Sequence, residues 1–101
     1  MSVLHIAMFK WSENVTESQV DDFTAALEVL KTQMPILKSF RFGRDLGLRD
    51  GNYDYGVVAE LAEPSQVAEY LDHELHQELI KAHVQHMLSE RKAVQILNFG
   101  G

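Results

Sequence analysis

The side chains most able to do chemistry are concentrated in one short stretch, residues 70–76. It places Tyr70, His73 and His76 within seven residues. Imidazole exchanges protons around neutral pH because its ordinary pKa is ~6.5. His76 could act as a general base at a carbonyl compound, with the Tyr70 phenol donating to the developing enolate oxygen. The alternative is that His76 bonds a backbone carbonyl and Tyr70 packs at a helix end.

The other three histidines have weaker claims to a role. His5 lies in an apolar strand and could line a pocket or bond within a dimer interface. His83 and His86 are three residues apart, as are His73 and His76, so each pair could contact one metal ion. Neither an HExxH motif nor a cysteine supports such a site. We therefore expect no metal, and we interpret His83 and His86 as packing or rim residues.

Composition limits the possible partners. The chain has 101 residues, 46% of them hydrophobic and 24% charged, which predicts one globular domain over residues 1–101. Its net charge of −6 argues against nucleic acid and anionic membranes as partners. The chain has no cysteine, signal-peptide pattern or long apolar run, and this favours a cytoplasmic protein. It also lacks a GxGxxG motif, and we expect no cofactor.

Hydrophobic periodicity predicts the elements that must position these side chains. Pro64 suits the start of a short helical turn that Tyr70 ends. The remaining elements are a strand over Leu4–Phe9, a helix capped by Thr16 and ending near Met34, strands over Lys38–Leu46 and Tyr53–Leu61, a helix from His73 to about Leu88, and a strand over Arg91–Phe99. A bend between the two helical segments would place Tyr70 across from His76.

The order of these elements is βαββαβ, which is that of the ferredoxin-like α+β sandwich. Two helices cover only one face of a four-stranded sheet. We expect Ala, Phe, Tyr and Leu side chains on the other face, where they would form a large apolar patch. A homodimer that stacks its sheets face to face would cover this patch. A cavity would remain between sheet and helices, or between the two sheets.

Three segments together resemble a known family. Residues 4–10, residues 51–55 and the pattern Tyr70-x-x-His73-x-x-His76 are similar to the stress-responsive dimeric α/β-barrel family, and the resemblance covers nearly the whole chain in order. It implies a homodimer with a pocket in each subunit for a small hydrophobic molecule.

The resemblance extends to the polyketide cyclase members of that family, the olivetolic acid cyclase-like proteins. It implies catalytic roles for Tyr70 and His76 in an aldol condensation. His5 matches a strand-one histidine, and Tyr55 takes the position of a further pocket histidine. His5, Tyr55 and His73 are therefore the candidate ligand-binding residues.

Three functions therefore remain open. The first is a cofactor-free cyclase or lyase acting on a hydrophobic carbonyl compound. The second is a non-catalytic, stress-related protein that binds an apolar ligand in the same pocket. The third is a relative of cofactor-independent monooxygenases. Arg41 and Arg44 could attract an acidic ligand, although isolated strand arginines usually face solvent.

Overall fold

The computed structural model describes residues 1–99, and its elements follow the predicted order. They are β1 (Val3–Trp11), α1 (Glu17–Gln33), β2 (Ser39–Arg44), β3 (Tyr55–Leu61), α2 (Ser65–Asp72), α3 (Glu74–Leu79), a π-helical turn (Ile80–Val84) and β4 (Leu88–Leu97). The ferredoxin-like α+β class predicted from the sequence is confirmed. No helix among residues 1–99 is long and apolar enough to cross a membrane.

The four strands form one antiparallel sheet in the order β2-β3-β1-β4. The N-terminal strand β1 is therefore central, and the C-terminal strand β4 is an edge. In this register His5 lies between Ala59 of β3 and Gln95 of β4. A histidine at the start of the chain is thus brought to the middle of the sheet, with a β4 amide beside it.

The helices cover the sheet face that carries His5, Ala7 and Phe9. Each of these residues is at most 4% exposed. The prediction that Ala, Phe, Tyr and Leu form the uncovered face is therefore wrong for Ala, Phe and Tyr. The uncovered face instead carries branched aliphatic side chains and methionine, because residues of opposite parity point away from the helices. Its partly exposed members include Leu4, Ile6, Met8, Val58, Val94 and Ile96.

Helix α1 begins as predicted. Thr16 Oγ1 accepts a hydrogen bond from the Gln19 N–H, and the Gln19 side chain accepts one from the Thr16 N–H. This reciprocal capping box satisfies two backbone donors that the helix itself leaves unpaired. The helix ends at Gln33, two residues before Pro35, and buries Phe23 and Leu27 against the sheet.

The segment predicted as one helix from His73 to Leu88 differs in the structure. Helix α3 is short and passes into the π-helical turn, where the Gln85 N–H donates to the carbonyl of Ile80, five residues earlier. Strand β4 already begins at Leu88, which pairs with Trp11 next to an irregularity in β1. Long-range strand pairing therefore fixes this boundary, and helical periodicity does not reveal it.

The β2–β3 connection is longer than predicted because β2 ends at Arg44 and β3 begins at Tyr55. Gly47 and Gly51 have φ angles of 72° and 83°, a conformation that glycine adopts without strain. The predicted Asp50-Gly51 turn thus belongs to a longer loop. The predicted Gly100-Gly101 tail lies outside the described residues.

Candidate active site

A break between α2 and α3 brings Tyr70 beside His76. His73 ends α2 and begins α3 with an extended backbone, at φ −61° and ψ 138°. In an unbroken helix two residues six apart would point to different sides, about 9 Å apart along the axis. Across the break, the ring centroids of Tyr70 and His76 are 4.6 Å apart and the rings meet edge to face.

His76 is held in one tautomer by the end of α2. Its Nδ1 lies 3.1 Å from the Leu71 carbonyl oxygen, which also accepts from the Gln77 side chain at 2.7 Å. A carbonyl only accepts, so Nδ1 must carry the hydrogen. Nε2 of the neutral ring then has a lone pair and can accept a proton.

His5 is held in the opposite tautomer by the edge strand. Gln95 Nε2 lies 2.8 Å from Nδ1 of His5, and an amide nitrogen only donates. Nδ1 of His5 therefore accepts, and the hydrogen of the neutral ring is on Nε2. The ring centroid of His5 is 6.1 Å from that of Tyr70. One potential proton acceptor and two potential donors thus lie close together.

These three side chains line a small cavity between the sheet and the helices. Its volume is about 30 Å³, enough for a water molecule or a group of a few atoms. The rest of the wall is mainly apolar and includes Phe9, Phe23, Leu27, Val57, Leu79 and Ile80. The sheet, α1, α3 and the π-helical turn all contribute, so the cavity depends on the complete fold.

The polar atoms without a protein partner reach accessible space. Among residues 1–99 no fully buried side-chain nitrogen or oxygen lacks a hydrogen bond. The Tyr70 hydroxyl and Nε2 of both His5 and His76 have no partner among these residues. Each of these atoms must therefore be accessible, and each can bond a group that enters the site.

Burial keeps all three groups in their neutral forms. It lowers the pKa of His5, and the positive charge of Arg91 lowers it further. Burial also lowers the pKa of His76, outweighing the Leu71 hydrogen bond that favours the charged ring. Burial raises the pKa of the Tyr70 phenol well above its ordinary value. Low polarity disfavours the ionised form in each case.

Two of the predicted ligand-binding residues do not line this cavity. His73 is exposed, and its Nδ1 accepts the Leu75 N–H at 3.1 Å, which caps α3. Tyr55 is buried, and its hydroxyl lies 2.7 Å from Thr24 Oγ1. Thr24 donates its own hydrogen to the Val20 carbonyl, so Tyr55 must donate to Thr24.

The arginine that lines the cavity is not one of the two considered in the sequence interpretation, Arg41 and Arg44. Arg44 forms an ion pair with Asp21 at 2.7 Å and does not line the cavity. Arg91, to which the sequence interpretation gave no role, lines the cavity with His5, Tyr70 and His76. The register that pairs Arg91 with Phe9 places it on the helix-covered face. Only strand pairing could have revealed this placement.

The remaining histidines lie elsewhere on the helical layer. His83 is half-buried in the π-helical turn, and His86 is exposed with Nε2 3.2 Å from the Ala82 carbonyl oxygen. Neither lines the cavity. Within residues 1–99 no three His, Cys, Asp or Glu side chains are grouped so that they could bind one metal ion.

Solved structures with this fold include one protein of clearly similar sequence and others of very different sequence. A dimeric ferredoxin-like protein of unknown function from Thermobifida fusca is 42% identical, with 97% of this chain and 92% of that chain covered and a TM-score of 0.88. A dimeric protein of unknown function from Bacteroides fragilis is 18% identical, with 96% of each chain covered and a TM-score of 0.83. A hydroxynitrile lyase from Passiflora edulis is 16% identical, with 99% of this chain and 96% of that chain covered and a TM-score of 0.82.

Sequence comparison identifies the family. No curated protein sequence matches this chain. The model of the stress responsive A/B barrel domain, in contrast, matches residues 3–97, almost the full length. This protein therefore belongs to the stress responsive A/B barrel domain family.

Proposed function

We propose that this protein is a cofactor-free lyase or cyclase that transfers protons at a carbonyl compound. The observation that carries the proposal is the pairing of Tyr70 and His76 at the cavity, with Nδ1 of His76 fixed by the Leu71 carbonyl. A neutral imidazole with a free Nε2 lone pair is a general base, and a neutral phenol is a hydrogen-bond donor. Both states are those that burial favours at this site.

The proposed step begins when Nε2 of His76 removes a proton from carbon next to the substrate carbonyl. The electron pair of the C–H bond forms the enolate, whose oxygen accepts hydrogen bonds from Tyr70 and from Nε2–H of His5. In a cyclase the enolate carbon then attacks a second carbonyl of the same molecule, and the new alkoxide takes the proton back from His76. In a lyase Nε2 of His76 removes the hydroxyl proton of an aldol or cyanohydrin, and the carbon–carbon bond breaks as the carbonyl forms. The leaving enolate carbon or cyanide then takes that proton from His76.

The size of the cavity limits what enters it. Pockets that enclose a whole drug-sized ligand usually have volumes of about 300 Å³ or more. The cavity beside His76 measures about 30 Å³, so it takes one reacting group rather than an entire polyketide. A compact carbonyl compound suits the site without rearrangement. The hydroxynitrile lyase among the similar structures supports lyase chemistry on this fold, for a protein that is 16% identical.

We propose a homodimer formed through the uncovered sheet face. Met8, Val94 and Ile96 are each between 42% and 49% exposed on this face. An open groove of about 700 Å³ adjoins it, where Leu46 and Leu48 of the β2–β3 connection are largely exposed. A second copy would remove these side chains from water. The similar protein that is 42% identical is dimeric, which supports a homodimer.

Comparison of variants tests the reaction. His76→Ala should abolish turnover of cyanohydrin, aldol and poly-β-keto substrates while leaving ligand affinity within about tenfold, ~1.4 kcal/mol. Loss of a general base costs about a hundredfold or more in rate. Tyr70→Phe should lower the rate without unfolding the protein. His83→Ala is the matched control, because His83 is half-buried outside the cavity.

The same measurements separate an enzyme from a binding protein. If the wild type turns over none of these substrates and His76→Ala changes only the melting temperature, the catalytic proposal is wrong. Binding of an apolar ligand without turnover would then favour the non-catalytic alternative. Turnover that depends on molecular oxygen would favour the monooxygenase-like alternative. A cytoplasmic location stays a prediction that cell fractionation can test.

A further inference from the structure

Arg91 is the only cationic side chain among residues 1–99 that lines the cavity of Tyr70 and His76. It lies near the start of edge strand β4, paired with Phe9 of β1. No further strand flanks β4, and Arg91 is exposed. Its guanidinium is therefore hydrated at the open edge of the site, whereas His5 and Tyr70 are each only 2% exposed.

The charge of Arg91 is not neutralised by the protein. The two ion pairs among residues 1–99 are Arg44 with Asp21 and Lys92 with Glu90. Arg91 is in neither, and its side chain forms no hydrogen bond within the described part of the chain. Acidic residues outnumber basic ones by 15 to 9, so potential carboxylate partners are plentiful. An arginine that lacks one beside a cavity can bind an anion from outside.

The two histidines of the cavity do not compete for that anion. Both are disfavoured as cations by burial, and the positive charge of Arg91 disfavours their protonation further. Arg91 therefore provides the fixed positive charge of the site. Its planar guanidinium can donate two parallel hydrogen bonds to one carboxylate, which an ammonium group does not match in geometry.

We infer that the substrate is a keto acid or a related carbonyl compound with a carboxylate close to the reacting carbonyl, and that Arg91 binds this carboxylate at the mouth of the cavity. The carbonyl end enters the space of about 30 Å³ beside Tyr70 and His76, and the charged end stays hydrated at the edge of β4. The inference names the substrate class of the same site and so rests on the proposed function.

Binding of pyruvate tests the inference without requiring turnover. Pyruvate is a small keto acid, and methyl pyruvate is its neutral ester. The histidine Cε1–H resonances of His5 and His76 report binding by NMR at constant ionic strength with chloride as the background anion. In the wild type, pyruvate should shift both resonances saturably, and methyl pyruvate should bind at least tenfold more weakly.

Variants of two adjacent cations then locate the charge that matters. Arg91→Gln should weaken pyruvate binding at least tenfold and leave the binding of methyl pyruvate unchanged, whereas Arg91→Lys should restore part of the affinity. Lys92→Gln removes the same charge from the next residue, which points to the opposite sheet face. It should bind pyruvate like the wild type. Arg91→Gln should also raise the pKa of His76, and Lys92→Gln should not.

The outcomes distinguish this inference from the proposed reaction. Pyruvate binding that is absent in the wild type, equal in Arg91→Gln, or equally lost in Lys92→Gln overturns the carboxylate site. Turnover of keto acids at the same rate in Arg91→Gln as in the wild type also overturns it, while the proposed reaction stands. Binding of pyruvate that depends on Arg91, with no turnover of any carbonyl substrate by the wild type, supports the carboxylate site and contradicts the proposed reaction.

Discussion

His5 and His76 line the same cavity in opposite tautomers. Nδ1 of His5 accepts a hydrogen bond from Gln95 at 2.8 Å, whereas Nδ1 of His76 donates to the Leu71 carbonyl at 3.1 Å. Their free Nε2 atoms are therefore chemically different, one a donor and the other an acceptor. Proton transfer at a carbonyl compound requires a base and a hydrogen-bond donor. Here two residues of the same type can provide one each.

Acidification should destabilise the protein through these two histidines. Burial lowers the pKa of each in the folded state. Between that lowered pKa and the ordinary value of ~6.5, the unfolded chain binds more protons than the folded one, so the free energy of unfolding falls as pH decreases. Their stabilising contribution is complete above about pH 6.5. Melting temperatures from pH 7.5 to 5.0 should show the loss.

Replacing His76 by Gln should make that pH profile flatter. The exposed His86 provides the control, and His86→Gln should leave the profile as it is. In an active enzyme, kcat/KM should rise with pH through an apparent pKa below ~6.5. Equal slopes in wild type and His76→Gln would contradict the assignment of His76 as a buried neutral histidine.

His5 should change its tautomer when its partner changes from donor to acceptor. Gln95→Glu places a carboxylate next to Nδ1, which then has to carry the hydrogen. The carboxylate also favours the imidazolium, so the pKa of His5 should rise. Nitrogen-15 chemical shifts of the ring identify the tautomer directly. Gln95→Leu, which supplies neither donor nor acceptor, should not raise that pKa, and an unchanged spectrum in Gln95→Glu would refute the assignment.

His73 should matter for stability rather than for turnover. Its Nδ1 caps α3 by accepting the Leu75 N–H. Removing a helix cap costs about 0.5–2 kcal/mol, and His73→Ala should lie near the lower limit. His73→Asn should restore the melting temperature because Asn is a favoured N-cap residue. Denaturant unfolding measures both variants, and a large loss of ligand affinity in His73→Asn would instead support the ligand-binding role predicted from the sequence.

Tyr55 should also contribute through packing. Its hydroxyl donates to Thr24 Oγ1 at 2.7 Å, and Thr24 donates to the Val20 carbonyl. Tyr55→Phe should lower the free energy of unfolding by about 0.5–1.5 kcal/mol, the usual net contribution of such a bond. A double-mutant cycle with Thr24→Val should show that the two changes are not additive. Turnover should stay within about twofold of the wild type if Tyr55 has no contact with substrate.

The uncovered sheet face should hold the homodimer together. Light scattering should give the wild type twice the chain mass of 11.5 kDa. Val94→Glu introduces a charge at a side chain that is 49% exposed on this face, and the measured mass should fall to that of one chain. Val29→Glu is the control, because Val29 is 54% exposed on α1, away from the sheet. A wild-type monomer at micromolar concentration would contradict the proposed dimer.

The sequence by itself determined the order of elements and several local features. Alternating and helical periodicity gave βαββαβ, and the Thr16–Gln19 capping box follows from two residues three apart. The helical break near His73 was also predicted, as a bend between a helical turn that ends at Tyr70 and a helix that begins at His73. These features depend on contacts between residues close in sequence, where side-chain type and spacing carry most of the information.

Only the tertiary structure decided which face the helices cover and which residues meet at the cavity. Both faces of β1 are largely apolar, so periodicity could not show that Phe9 is inside and Met8 outside. His5, Gln95 and Arg91 come together through the pairing of the first strand with the last. That register is set by backbone hydrogen bonds and packing between distant segments, because pairing depends on the whole sheet and not on local spacing.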